Sequence, residues 1–131
     1  MKIKLTSVFV DDQDKALQFY TEVLGFVKKL DISLGQYRWL TVVSPEEPDG
    51  TQLLLEPDAN PAAKTYQQAI FEQGIPAAQF FVEDIQQEYE RLKERDVAFT
   101  MEPTPVTGST IAVLNDTCGN LIQIVQLNSP M

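Results

Sequence analysis

Residues 9–26 read FVDDQDKALQFYTEVLGF, and residues 81–99 read FVEDIQQEYERLKERDVAF. An offset of 72 lays Phe9 on Phe81, Val10 on Val82, Asp11 on Glu83, Asp12 on Asp84 and Leu17 on Tyr89. In both stretches a β-rich run ends in acidic residues suited to helix capping. Apolar residues then recur at helical spacing, as at Ala16, Leu17, Tyr20, Val23 and Leu24, before Gly25 stops the helix.

Outward from these stretches the order repeats. IKLTSVFV is a strand before the first helix, and FVKKLDIS, QYRWLTVVS and TQLLLE are three strands after it. AAKTYQQAIFEQG is a connecting helix closed by Gly74. AAQFFV then restarts the pattern, followed by the helix QQEYERLKER, the strand VAFTM, a Pro-rich loop, and the strands STIAVLN and LIQIVQL. The last strands of the two halves align at an offset of 70, QLLLEP over IQIVQL. The pattern predicts an α+β fold of two tandem βαβββ modules. Module one covers about residues 1–57, a linker helix about 61–74 and module two about 76–127, all within one domain of 131 residues.

Composition narrows the chemistry. The chain has no histidine, so Ser-His-Asp and Cys-His catalysis and His-ligated metals are excluded. Its formal net charge is −9, with ten scattered Lys and Arg, which disfavours nucleic acid and anionic membranes as partners. No apolar run is long enough to span a bilayer, and the N-terminal residues read as a strand rather than a signal peptide. The single cysteine, Cys118, excludes an intrachain disulfide framework and fits a reducing, cytoplasmic setting. In the turn DTCGN it is expected near the surface as a spectator, since no Lys or Arg lies within four residues.

The stretch SVFVDDQDKALQFYTEVLGF resembles the opening strand-helix signature of the vicinal oxygen chelate superfamily, and DTCGNLIQIVQ resembles its closing strand. That superfamily includes glyoxalase I, bleomycin-resistance proteins and extradiol dioxygenases. The resemblance implies half-open barrels enclosing a shared pocket. It also implies four metal-ligand positions, which fall here on Leu5, Leu53, Ala77 and Gln123. Two leucines, an alanine and an amide cannot repay the dehydration of a divalent ion. On this reading Glu56, three residues beyond Leu53, points to the opposite face and offers no rescue. No metal and no other cofactor is expected, and the residues argue against metal-dependent glyoxalase or dioxygenase activity.

Strand alternation places Leu5, Ser7 and Phe9 on one pocket-facing side, with Leu53 and Leu55 in the same sense. Ala77, Gln79 and Phe81 face inward from the fifth strand, and Leu121, Gln123 and Val125 from the eighth. Such a lining is apolar with a few amides, the usual make-up of a small-molecule site. The same side chains could equally meet and fill the barrel as core. Trp39 beside Arg38 could form an aromatic wall with a charged anchor, or Trp39 could pack under a helix while Arg38 pairs with a surface carboxylate. Three functions stay open. One is a metal-independent protein that binds or sequesters a small apolar or aromatic molecule. The second is a lyase or dioxygenase-like enzyme, and the third a non-catalytic interaction module with a filled pocket. A homodimer is expected, because half-barrels leave sheet edges for a second copy to cover.

Overall fold

The structure is a computed structural model that describes residues 1–128. The run LTSVFV forms β1 (Leu5–Val10), with Val8 and Val10 buried. Asp12 then takes an extended backbone and its carboxylate accepts from the Lys15 amide, which caps α1 (Gln13–Gln18). The helix widens into a π-helical segment over Phe19–Val23, and Gly25, at φ 94°, releases the chain into β2 (Val27–Leu34). β3 (Tyr37–Val43) and β4 (Gln52–Pro57) complete the first repeat.

α2 (Pro61–Glu72) links it to β5 (Ala78–Phe81), α3 (Ile85–Glu94), β6 (Phe99–Val106), β7 (Ser109–Asn115) and β8 (Leu121–Leu127). The strands form two four-stranded mixed sheets, ordered β1-β4-β3-β2 and β5-β8-β7-β6. In each, the first strand lies parallel to the last and occupies an edge, while the remaining pairs are antiparallel. This is the α+β, twice-βαβββ architecture expected from the repeat.

One face of each sheet is covered by helices and the other is open. The covered faces share a single core. Val8, Val10, Leu40, Val42, Leu53 and Leu55 come from the first sheet, Ala112, Leu114, Ile122 and Ile124 from the second, and Ala16, Tyr20, Ile85 and Leu92 from the helices. Burying a Val, Leu or Ile side chain of this core contributes about 1.5–3 kcal/mol. Tyr20, Phe26 and Phe80 join the repeats through aromatic contacts, with Phe26 and Phe80 edge to face at 4.9 Å.

Two expectations change here. The Pro-rich stretch after VAFTM is not a loop, because β6 continues through Pro103 and Pro105 to Val106. It is an edge strand whose register slips between Phe99 and Met101 and again between Met101 and Thr104, where prolines without an amide are tolerated. Cys118 is not near the surface but fully buried. Its turn is pulled inward by Asp116, whose carboxylate accepts from the amides of Cys118 (2.7 Å) and Asn120 (3.0 Å). The Cys118 carbonyl in turn accepts from the Asp11 amide at 3.1 Å. Among the described residues, no helix is long and apolar enough to cross a membrane.

Candidate functional site

The open faces follow from strand register. β1 pairs with β4 as Leu5 with Gln52, Ser7 with Leu54 and Phe9 with Glu56. Paired neighbours in a sheet point the same way, so these six side chains share the open face. Leu54 pairs in turn with Thr41, and β2 sets Leu30 beside Thr41, Ile32 beside Trp39 and Leu34 beside Tyr37. In the second sheet Gln79 pairs with Gln123 and Phe81 with Val125, while Val113 lies beside Gln123 and Ile111 beside Val125.

Most of the site residues expected from sequence fall on these faces: Leu5, Ser7, Phe9, Trp39, Gln79, Phe81 and Gln123 by register. Ala77 stands two residues before Gln79, exposed, with its amide bonded to the Leu121 carbonyl. Gln123 donates to Gln79 at 3.0 Å, which fixes the two amides as a pair on the open surface.

Leu53 and Leu55 are corrections. They lie in the core, Leu55 fully buried, and cannot line an open-face pocket. The register places Leu54, not Leu53, opposite Ser7, just as Gln123 stands opposite Gln79. The last strands of the two repeats therefore correspond at an offset of 69 rather than 70, and a slip of one residue exchanges the faces. The slip was invisible because Leu53, Leu54 and Leu55 are all leucine. Glu56 changes sides with them and faces the same way as Phe9.

Arg38 is the other displaced residue. It lies on the helix-covered side, opposite to Trp39, where it is ion-paired with Asp14 of α1 and, at 3.0 Å, with Asp31 of β2. The hydrogen bonds it donates to Asp31, then to Asp14, hold its guanidinium pKa above the ordinary value. Gln13 locks the strand beneath it, donating to the Arg38 and Leu55 carbonyls and accepting from the Arg38 amide. Arg38 and Trp39 therefore do not form one wall.

With the register corrected, the four metal-ligand positions that the resemblance implies fall on Leu5, Leu54, Ala77 and Gln123. Their donor chemistry does not fit a divalent ion, since only Gln123 presents an oxygen. Among the described residues no group of three or more His, Cys, Asp or Glu is placed to hold a metal.

Two hollows open near these faces. A cleft of about 850 Å³ runs along β5, an edge strand, past Gln79 and Phe81. Its floor includes Leu24, Phe26, Phe80 and Val82, and its rim carries Glu46, Glu47, Glu83 and Asp84. A second hollow of about 430 Å³ lies where β1 and β4 meet α2, lined by Phe9, Glu56, Pro57, Asn60, Ala62, Ala63 and Tyr66. Sequence reasoning missed Tyr66 and turned Glu56 to the opposite face. Tyr66 follows the α2 periodicity but is 60% exposed, a large aromatic left in solvent.

Residues 2–124 match the family model of the Glyoxalase/Bleomycin resistance protein/Dioxygenase superfamily. The chain is 64% identical over 126 residues to the uncharacterized protein YurT of Bacillus subtilis (strain 168), covering 96% of this chain and 99% of that one. Among solved structures it is similar to UcmS2, with 32% identity, a TM-score of 0.82 and coverage of 95% and 97% of the two chains. It is also similar to TnmS3, an antibiotic binding protein from Streptomyces sp. CB03234, with 28% identity, a TM-score of 0.78 and coverage of 98% and 97%.

Proposed function

Because this chain belongs to the Glyoxalase/Bleomycin resistance protein/Dioxygenase superfamily, we propose that it is a metal-independent binding protein for a small, largely apolar or aromatic molecule. The observation that carries the reading is the apolar open face of each sheet. Ile32 is 50% exposed, Leu34 58% and Phe81 59%, alongside Leu5, Leu30, Tyr37 and Met101. Large uncovered apolar patches mark interaction sites. Here they are interrupted by the Gln79–Gln123 pair, whose amide groups would orient a ligand. A filled pocket would require the same side chains to be buried. The antibiotic binding TnmS3, similar over nearly the whole chain, supports the same reading.

In this proposal a second copy completes the pocket. β1 and β5 are both edge strands, so each sheet ends in a row of unused backbone donors and acceptors. Pairing these edges between two copies would set the open face of one sheet against that of another and bury the exposed leucines, isoleucine and aromatics.

Trp39, the only tryptophan, stands on the open face and reports on occupancy. Titration with N-phenyl-1-naphthylamine, a neutral apolar fluorophore, is expected to quench Trp39 emission saturably at micromolar concentration. Light scattering is expected to give twice the chain mass of 14.7 kDa. A Trp39 signal that stays flat or drifts without saturation would defeat the binding proposal, and a monomer at tens of micromolar would defeat the shared pocket.

A further inference from the structure

From the hollow at the junction of β1, β4 and α2 we infer that the site takes organic cations, with Glu56 as the charge partner of a ligand ammonium group and Phe9 and Tyr66 as its aromatic walls. This rests on the small-molecule reading of the open faces and adds to it the charge of the ligand.

Three observations converge. Phe9 and Glu56 are direct register partners on the open face, so ring and carboxylate stand side by side across neighbouring strands. Tyr66, from α2, lines the same hollow and is 60% exposed. Glu56 is the only charged residue in that lining among the described residues, and it takes part in none of the ion pairs found among them. The remaining polar side chain, Asn60, is engaged, since its carbonyl oxygen accepts from the Ala62 amide at 2.9 Å as the cap of α2.

A carboxylate without a cationic partner, flanked by two aromatic rings, is the arrangement that recognises an ammonium ion. The ring faces attract a cation and the carboxylate supplies a full opposite charge. The second repeat lacks it, because the residue paired with Phe81 is Val125. One feature opposes the cation. The first turn of α2 also lines the hollow, and a helix N-terminus carries a partial positive charge of roughly half a unit. The full charge of Glu56 outweighs it. Removing that charge should therefore abolish the preference.

The experiment compares 1-naphthylmethylamine, protonated at neutral pH, with the isosteric neutral 1-naphthylmethanol, each titrated into the native protein at low salt. The amine is expected to bind about five- to tenfold more tightly. In Glu56→Gln the amine should bind no better than the alcohol. Tyr66→Leu should lose part of the preference, and Tyr66→Phe should keep it. Equal affinities in the native protein, or a preference that survives Glu56→Gln, would overturn the cation site while leaving the small-molecule reading intact. If neither compound binds, both fall.

Discussion

The two strand-to-helix entries are built alike at their caps and differently one turn later. Asp12 and Asp84 both adopt extended backbone, and each accepts from the amide three residues on, Lys15 and Gln87, at 3.0 Å. α3 then runs as a regular ten-residue helix anchored by the buried Leu92. α1 lasts six residues before its turns widen, with the Leu24 amide bonded to the Phe19 carbonyl five residues back. At the repeat offset of 72, Tyr20 stands where Leu92 does, and both are buried. Tyr20 carries a ring and a hydroxyl that Leu92 lacks, and the hydroxyl makes the link. Tyr20 donates to Asp116 in the second repeat at 2.7 Å, and Asp116 also receives the amides of Cys118 and Asn120 and the Asn120 side chain. Gln67 of α2 ties into the same knot through the Cys118 carbonyl and Asn120. Duplication thus fixes where each helix starts, while a single polar atom turns one of two equivalent anchors into the clasp between repeats.

The largest effect should come from removing that atom. Tyr20→Phe leaves a buried carboxylate short of one charge-assisted bond and is expected to cost about 1.5–3 kcal/mol in urea unfolding. Tyr89→Phe, on the half-buried face of α3 where the ring meets Phe99, should stay within about 0.5 kcal/mol. Equal losses would mean the clasp contributes no more than an ordinary surface hydroxyl.

The clasp also predicts an alkaline limb. Burial, with Asp116 beside it, raises the Tyr20 phenol well above 10.0, and burial raises the Cys118 thiol from 9.0 to about 12. Both groups are held neutral in the fold and ionise more readily when unfolded. Their contribution is therefore complete below the unfolded values and is lost as pH rises through the folded ones. Stability should fall from about pH 9 upward. Tyr20→Phe, weaker at neutral pH, should lose less above pH 10, so the two curves should converge.

Next come the caps, where the repeats should behave alike. Asp12→Ala and Asp84→Ala are each expected to lose about 1 kcal/mol, because each leaves one first-turn amide without its acceptor. The two losses should agree within about 0.5 kcal/mol when measured by urea unfolding. A gap of more than about 1 kcal/mol would show that the helices do not bear on the core equally.

What could be read from the sequence follows the same division. Caps, terminal glycines and alternating strands carry local signals, so the order of elements and the two-sheet fold were legible in the sequence. Face assignment was legible only where apolar and polar residues alternate, as in TSVFV and LIQIVQ. It failed in QLLLEP, where three consecutive leucines satisfy both the core and the open face. That failure placed Leu53 and Leu55 in the pocket and turned Glu56 away from it. Cys118 failed for another reason. A short polar turn ordinarily lies at the surface, but here Asp116 and Asn120 are both buried and satisfy one another. Tyr66 carried no sequence signal, because an exposed aromatic on a helix is identifiable only once its neighbours are known.

The smallest effect expected is at Arg38, and it separates the two faces of the first sheet. Its guanidinium bonds Asp14 and Asp31 on the helix-covered side, with a quarter of the side chain still exposed. Pairs of that kind contribute less than about 1 kcal/mol, since solvent screens them and ordering two side chains costs entropy. The link between α1 and β3 persists without them, because Gln13 bonds the backbone of residue 38 on both its amide and its carbonyl. Arg38→Gln should therefore unfold within about 1 kcal/mol of the native protein. It should also bind 1-naphthylmethanol with unchanged affinity, in contrast to Trp39→Ala, which removes an open-face wall from the same strand. Loss of naphthyl binding in Arg38→Gln without loss of stability would mean that the guanidinium reaches the ligand after all, and that the pocket extends around the edge of the sheet.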